Sequence, residues 1–482
     1  MRHGPLRQRT PVDSAASGSR GHASRTRSLA LAVLCVLALA AAPARAAERL
    51  RVGDDGRFLV HQNGSPFFYL ADTAWELFHR TTREEADLYL TDRAAKGFTV
   101  VQAVVLAELA GLDVPNSYGD LPLVDRDAAK PNDAYFRHVD YVVARAGRLG
   151  LHVAMLPTWG DKWNKKWGVG PEIFTPENAE VFGEYLGRRY KNAPIIWVLG
   201  GDRSPETEAH EAIVRAMARG LGRGDGGAHL MTYHPMGGDS SATFFHTDEW
   251  LDFNMFQSGH AAYDAPNYEL TARAYALTPV KPVVDGEPRY EDHPVNWDAR
   301  RGWFGDYDVR QAAYWSMLAG ACGHTYGNHN IWQMWQPGRD PISSARTPWR
   351  KALDHPGASQ VGFMRRLFES RPFLQLRPDP SVLASDPGKG AGRALAARAA
   401  DGSYLFVYTP LGEPVAVSLS RIAGRKIDAF WFDPRTGKAA KIASFANGGT
   451  RSFTPSSRGR GNDWVLVLDD AARGFGQPGA TR

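Results

Sequence analysis

From residue 50 to about 335, short runs of apolar and β-branched residues alternate with longer stretches in which apolar positions recur every three to four residues. The short runs read as strands: Phe67–Ala71, Thr99–Ala103, His152–Pro157, Pro194–Leu199, Leu230–Pro235, Phe253–Gln257, Pro282–Asp285 and Gly323–Tyr326. The longer stretches read as amphipathic helices. Arg83–Lys96 follows a Thr81-Thr82 cap, Ala134–Leu149 ends at Gly150, and Pro176–Tyr190 follows Thr175. Further helices are predicted at Pro205–Gly220 and Val309–Ala319. Strands that are apolar throughout, separated by helices, are the pattern of a parallel sheet with crossover helices. Eight of them predict an α/β fold closed into a (β/α)8 TIM barrel. An open doubly wound sheet shares this rhythm, but no glycine-rich phosphate loop follows any strand.

After Arg371-Pro372 the period changes to strict alternation at Ser403–Tyr408, Val415–Leu419, Ile427–Phe432 and Trp464–Leu468. Turn signals separate these runs at Pro410-Leu411-Gly412, Asp433–Gly437 and Asn447-Gly448-Gly449. The expected organisation is a leader at 1–46, a barrel at 47–370, a small all-β sandwich at 371–470 and a flexible tail at 471–482.

Charge changes the picture only through its location. The chain carries a net charge of +5, which by itself would suggest a polyanionic partner. Residues 1–46, however, hold seven arginines and one acid, and without them 50 basic face 51 acidic residues. Nucleic acid is therefore not an expected partner. Arg25 and Arg27 precede an apolar run, Leu29–Ala42, that ends in Pro43 and Ala44-Arg45-Ala46. This is the form of a secretory signal cleaved after Ala46, and it predicts a periplasmic or secreted protein. The run falls short of the roughly 20 residues that span a bilayer, so no stable membrane anchor is expected. Beyond Cys35 only Cys322 remains, in the small apolar stretch Leu318–Cys322, and reads as a buried hydrophobe. No metal spacing occurs, and no cofactor is expected.

In a barrel of this kind functional groups sit where strands end. The strand ends are rich in acids, aromatics, amides and histidines. They supply Asp72, Trp75 and Glu76; Gln102 and Glu108; Trp159 and Asp161; Asp202 and Arg203; His234; Gln257 and His260; Asp285 and Glu287; and His329 and Trp332. Aromatic faces suit sugar rings, while carboxylates and amides suit pairs of hydroxyls, so a carbohydrate substrate is expected. Asp202 closes Ile195-Ile196-Trp197-Val198-Leu199-Gly200-Gly201, and Glu287 follows Pro282-Val283-Val284-Asp285-Gly286. Acids on the fourth and seventh strands face each other across a barrel mouth, and glycosidic cleavage needs such a pair. The predicted substrate-binding set is Asp72, Trp75, Gln102, Trp159, Asp161, His234, Gln257, His329 and Trp332. Asp285 competes with Glu287 if Gly286 breaks the strand, and Glu291 and Asp292 read as solvated.

The runs Phe68–Leu77, Trp197–Asp202 and Asp285-Gly286-Glu287-Pro288 together resemble the apiosidase-like glycoside hydrolases, family 140. The C-terminal part is similar to the small β-domain that usually follows in that family, often labelled collagen-binding. The resemblance spans roughly residues 50–470. It implies a retaining mechanism with an Asp after strand four as acid/base and a Glu after strand seven as nucleophile, roles that fall on Asp202 and Glu287. It also implies β-linked apiose as one known substrate, within a plant-type or bacterial glycan.

A non-catalytic carbohydrate- or matrix-binding protein on a barrel scaffold is the competing reading, and the intact pair of acids argues against it. A metal-dependent esterase falls on the missing metal spacing, and a Ser-His-Asp hydrolase on the absence of a G-x-S-x-G elbow. Collagen is not an expected partner, because Trp431 and Trp464 of the β-domain lie in strand patterns that mean core.

Overall fold

The computed structural model describes residues 48–480. The expected signal peptide and its expected cleavage site fall outside the described residues. A hairpin, Leu50–Val52 with Leu59–His61, precedes the barrel.

Eight strands then form one sheet: β1 (Tyr69–Thr73), β2 (Val100–Leu106), β3 (His152–Thr158), β4 (Ile195–Gly200), β5 (Met231–His234), β6 (Asn254–Phe256), β7 (Val283–Asp285) and β8 (Gly323–Tyr326). Their order is β5-β4-β3-β2-β1-β8-β7-β6, with every pair parallel. The sheet closes where β5 meets β6. There the Asp252 N–H donates to the Met231 carbonyl at 2.9 Å and the Thr232 hydroxyl to the Phe253 carbonyl at 2.6 Å. Every residue of the eight strands is buried, which is why they read as unbroken apolar runs rather than as an alternation.

The crossovers are α1 (Arg83–Ala95), α2 (Asp133–Arg148), α3 (Pro176–Tyr190), α4 (Glu208–Asp225), α5 (Ser241–Phe245), α6 (Asn267–Tyr275), α7 (Asp306–Leu318) and α8 (Pro356–Glu369). Helix α1 starts in a capping box, with Thr82 Oγ1 accepting from Glu85 N–H and the Glu85 carboxylate accepting from Thr82 N–H. The strand and helix starts follow the sequence reading to within about three residues, the usual spread at element ends. Helices α5, α6 and α8 have no counterpart in the sequence reading.

The tail forms a sandwich. Its main sheet has the order β9 (Leu376–Pro378), β10 (Leu395–Ala399), β11 (Tyr404–Thr409), β16 (Trp464–Asp470), β13 (Lys426–Asp433) and β14 (Lys438–Ala446). A two-stranded sheet, β12 (Val415–Ser418) with β15 (Thr450–Phe453), covers one face. Alternation along β11 explains the assembly. Leu405 and Val407 point into the sandwich core with Val417, Trp431 and Leu466, while Tyr404, Phe406 and Tyr408 join the core of the barrel. Tyr408 stacks on Tyr314 of α7 with centroids 4.9 Å apart. Arg310 of α7 forms a buried pair with Asp463, Nη2 to Oδ1 at 2.8 Å and Nε to Oδ2 at 3.1 Å.

Residues 471–480, expected as a flexible tail, make contacts with the rest of the chain. Arg371 Nη2 donates to the Gly476 carbonyl at 3.1 Å, Gln477 Nε2 to the Ala439 carbonyl at 2.9 Å, and the Gly479 N–H to Ser370 Oγ at 3.1 Å.

Candidate active site

Strand β4 ends in three consecutive residues with left-handed backbone: Gly200 (φ 95°), Gly201 (φ 94°) and Asp202 (φ 55°). A side chain at 200 would run into the His234 carbonyl and one at 201 into Gly160 and Trp159, so only glycine lets this corner settle between the ends of β3 and β5. The corner delivers Asp202 in a conformation that non-glycine residues seldom adopt, as expected where geometry serves chemistry. The Asp202 N–H donates to His234 Nδ1 at 3.2 Å, and Arg203 Nη1 donates to the Asp202 carbonyl at 2.7 Å and to Oδ2 at 3.2 Å.

Glu287 follows β7 and its backbone is clamped from three directions. The Gly286 N–H donates to the Phe256 carbonyl at 2.8 Å, the Gly259 N–H to the Glu287 carbonyl at 2.9 Å, and Gln102 Nε2 to the Gly286 carbonyl at 3.0 Å. Its carboxylate meets two histidines. Oε2 lies 3.1 Å from His234 Nε2, and Oε1 lies 3.1 Å from His260 Nε2.

These surroundings drive the two acids apart. Burial and the negative charge of Glu287 push the Asp202 carboxyl up to about 7, against a smaller opposing effect of Arg203 and His234. Burial would raise Glu287 as well, but the side-chain interactions of His234 and His260 outweigh it and bring that carboxyl down to about 2. Near neutral pH one member therefore carries a proton it can give and the other a free lone pair. Glu108, half-buried after β2, is pushed well up by burial and by Asp202, Glu76 and Asp161 around it.

Five of the predicted substrate-binding residues gather at this pair. Trp75 and Trp159 pack on each other at 5.2 Å between centroids, and Trp75 meets the His234 ring edge-on at 5.5 Å. His234 bridges the two acids, and the Gln257 amide reaches Asp202. Gln102 acts through the backbone of Gly286, with a second bond to Thr73 Oγ1 at 3.3 Å.

The remaining four take other places. Asp72 precedes the inward-facing Thr73 and so points to the helix side of β1, where it bonds Arg93 Nε at 3.0 Å and the Tyr89 hydroxyl at 2.8 Å. Asp161 is buried against Lys162 Nζ at 2.7 Å and accepts the Gly170 N–H at 2.8 Å, pinning its own loop. His329 gives Nε2–H to the Ile342 carbonyl at 3.0 Å and accepts the Trp332 indole N–H on Nδ1 at 3.3 Å. His329 and Trp332 thus pair with each other, and all four side chains are engaged with other groups of the protein. Glu291 and Asp292 are not solvated either. Glu291 accepts the Tyr326 hydroxyl at 2.6 Å, and Asp292 is paired with Arg346. Asp285 is held by Ser258 Oγ at 2.7 Å and Asn267 Nδ2 at 3.0 Å, away from Glu287.

Two contributors were missing from the sequence-derived set. His260 holds Glu287 and stacks on His293 at 4.3 Å, which in turn meets His329 at 4.4 Å. Tyr290, whose phenol is pushed well up by burial and the Glu287 carboxylate, packs 4.5 Å from the His260 ring. His260 was visible as a strand-end residue, whereas Tyr290 carried no signal beyond its position three residues after Glu287.

The geometry can be set beside known proteins. Residues 53–375 match the family model "Apiosidase-like, catalytic domain". The chain belongs to the apiosidase-like family. Residues 377–469 match the model "Putative collagen-binding domain of a collagenase". A solved structure titled "Glycoside hydrolase" is 36% identical, covers 89% of this chain and 98% of its own, and superposes with a TM-score of 0.83. A glycoside hydrolase family 5 protein from Bacteroides vulgatus ATCC 8482 is 35% identical, with coverages of 90% and 96% and the same TM-score of 0.83. No curated protein matches the chain. By family and by fold this apiosidase-like chain is a glycoside hydrolase-like protein.

Proposed function

We propose that this protein is an exported, exo-acting, retaining glycosidase in which Asp202 is the acid/base and Glu287 the nucleophile. The observation that carries the reading is the opposed protonation of two acids joined through one histidine: Asp202 raised, Glu287 lowered, His234 touching both. In the first step a Glu287 oxygen attacks the anomeric carbon while Asp202 gives its proton to the glycosidic oxygen. The C–O bond breaks, the aglycone leaves as an alcohol, and the sugar remains as an ester of Glu287. In the second step Asp202, now ionised, takes a proton from water, whose oxygen attacks the same carbon and frees Glu287. Two inversions give net retention, for which the carboxyl groups should stand about 5–5.5 Å apart.

His260 Nδ1, Gln257 Oε1 and the Trp159 indole nitrogen are buried and without a hydrogen-bond partner, which suits them to sugar hydroxyls. The family name points to a single sugar, apiose, removed from a glycan, and this supports a terminal cut. Export rests on the leader at 1–46 and is tested by N-terminal sequencing of protein recovered from periplasm or medium, which should begin at Ala47. The activity is tested with a panel of nitrophenyl pentofuranosides and pyranosides, following the anomer first released by NMR. Release with retained configuration supports the reading. Failure to cleave any member would favour a carbohydrate-binding role.

A further inference from the structure

All fourteen tryptophans of the chain lie in the described residues, and only two of them are exposed: Trp167 at 59% and Trp297 at 48%. An exposed indole costs solvation unless something covers it, and such surfaces commonly mark binding sites. Trp297 stands over His293, with centroids 4.4 Å apart, on the Glu287 side of the cleft. Trp167 packs on Arg203, which bonds Asp202.

The loop that carries Trp167 is built rather than loose. Arg203 Nε donates to the Asn164 carbonyl at 3.0 Å and Nη2 to the Lys165 carbonyl at 3.3 Å. Asp161 accepts the Gly170 N–H at 2.8 Å, and Lys166 Nζ pairs with Glu206 at 2.5 Å. A Cβ on Gly168 would overlap the Asp161 and Arg203 side chains, so the loop lies flush on both. The Arg203 guanidinium carbon sits 4.0 Å from the centre of the Trp167 ring and covers one of its faces. The same guanidinium bonds Asp202. A continuous chain of contacts therefore runs from Glu287 through His234, Asp202 and Arg203 to Trp167, at 3.1, 3.2, 3.2 and 4.0 Å in turn. Glu287 marks where the anomeric carbon must be, and Asp202 marks the glycosidic oxygen. Trp167 is thus the exposed aromatic surface joined to the acid's side of the pair.

We propose that the free face of Trp167 is the stacking platform for the leaving-group sugar. Arg203 fixes the ring and also holds the acid that protonates the departing oxygen, which couples aglycone binding to the placement of Asp202. The proposal rests on Asp202 being the acid.

The test uses the sugar released fastest from the nitrophenyl panel, presented once as its glycosyl fluoride, whose leaving group has no ring, and once joined to a hexose as a disaccharide. Trp167→Ala should lower the ratio of kcat/KM for disaccharide over fluoride by about tenfold, chiefly through KM, with Trp167→Phe restoring most of it. Trp297→Ala should leave that ratio where it is. Equal effects of Trp167→Ala on both substrates, or none, would overturn the platform. If the wild type cleaves neither substrate, the glycosidase reading fails on its own and the platform is read from calorimetric titration with arabino-, xylo- and galacto-oligosaccharides. Binding that Trp167→Ala weakens at least about fivefold upholds the stacking surface. Binding that is absent, or indifferent to Trp167, overturns it.

Discussion

The main chain of Asp202 donates its N–H to Nδ1 of His234, so the acid itself determines which nitrogen of that ring carries a proton. With Nδ1 accepting, the hydrogen sits on Nε2, the nitrogen that lies 3.1 Å from Glu287 Oε2. One imidazole thus transmits the position of the left-handed corner after β4 to the carboxylate after β7.

Removing that ring should be felt at low pH. In His234→Ala, Glu287 loses a hydrogen-bond donor that keeps it ionised, and its pKa should rise from about 2 toward the ordinary carboxylate range. Protonated Glu287 cannot attack, so the acidic limb of kcat/KM against pH should move up by about one unit. An acidic limb that does not move would remove His234 from this role.

Asp202 should cost the fold stability at neutral pH. Its folded pKa of about 7 lies above the value for an exposed Asp, so between roughly pH 4 and 7 the folded state binds more protons than the unfolded one and stability falls as pH rises. Asp202→Asn abolishes the ionisation. It should stabilise the protein by about 1–3 kcal/mol at pH 8, with the gain fading below about pH 4. Urea unfolding of both proteins at pH 4 and pH 8 measures it, and a gain that is the same at both pH values would contradict the burial of a reluctant charge.

The β-domain is held as part of the barrel core, so its ion pair should behave as a buried one. Arg310→Ala leaves Asp463 charged and 0% exposed, and should cost about 3–5 kcal/mol. Arg310→Met with Asp463→Leu should recover most of this loss, because a buried pair replaced by apolar groups is often close to neutral. A single variant with unchanged unfolding would mean that solvent reaches the pair.

The barrel was legible because strands buried on both faces leave apolar runs that little else in a chain produces. Strand β14 escaped notice for the opposite reason. Lys438–Ala446 is largely exposed and rich in Lys and Ala, so neither face shows an apolar pattern. Asp202 and Glu287 were readable because glycines open the chain directly before each. The expected neighbours failed where orientation decided: Asp72 and Thr73 are adjacent, yet only Thr73 faces the barrel interior, where Gln102 meets it. The exposure of the tryptophans was not legible either. Trp75, Trp159 and Trp332 follow strand ends and are 2%, 3% and 3% exposed, while Trp167, on a loop with no apolar pattern, is open to solvent. Exposure depends on what the rest of the fold covers, and local sequence does not carry that.

The division of labour between the two acids is tested most directly by assaying Asp202→Ala and Glu287→Ala on an activated aryl glycoside and on an unactivated glycoside of the same sugar, with and without azide. Glu287→Ala should lose turnover on both, since no glycosyl ester can form. Asp202→Ala should lose about 10²–10⁴-fold on the unactivated glycoside and far less on the activated one, whose leaving group needs little protonation. Azide, which attacks without general-base help, should restore much of the activated rate in Asp202→Ala and yield a glycosyl azide of retained configuration. Equal losses on both substrates for Asp202→Ala, with no azide product, would contradict the assignment of Asp202 as acid/base and Glu287 as nucleophile.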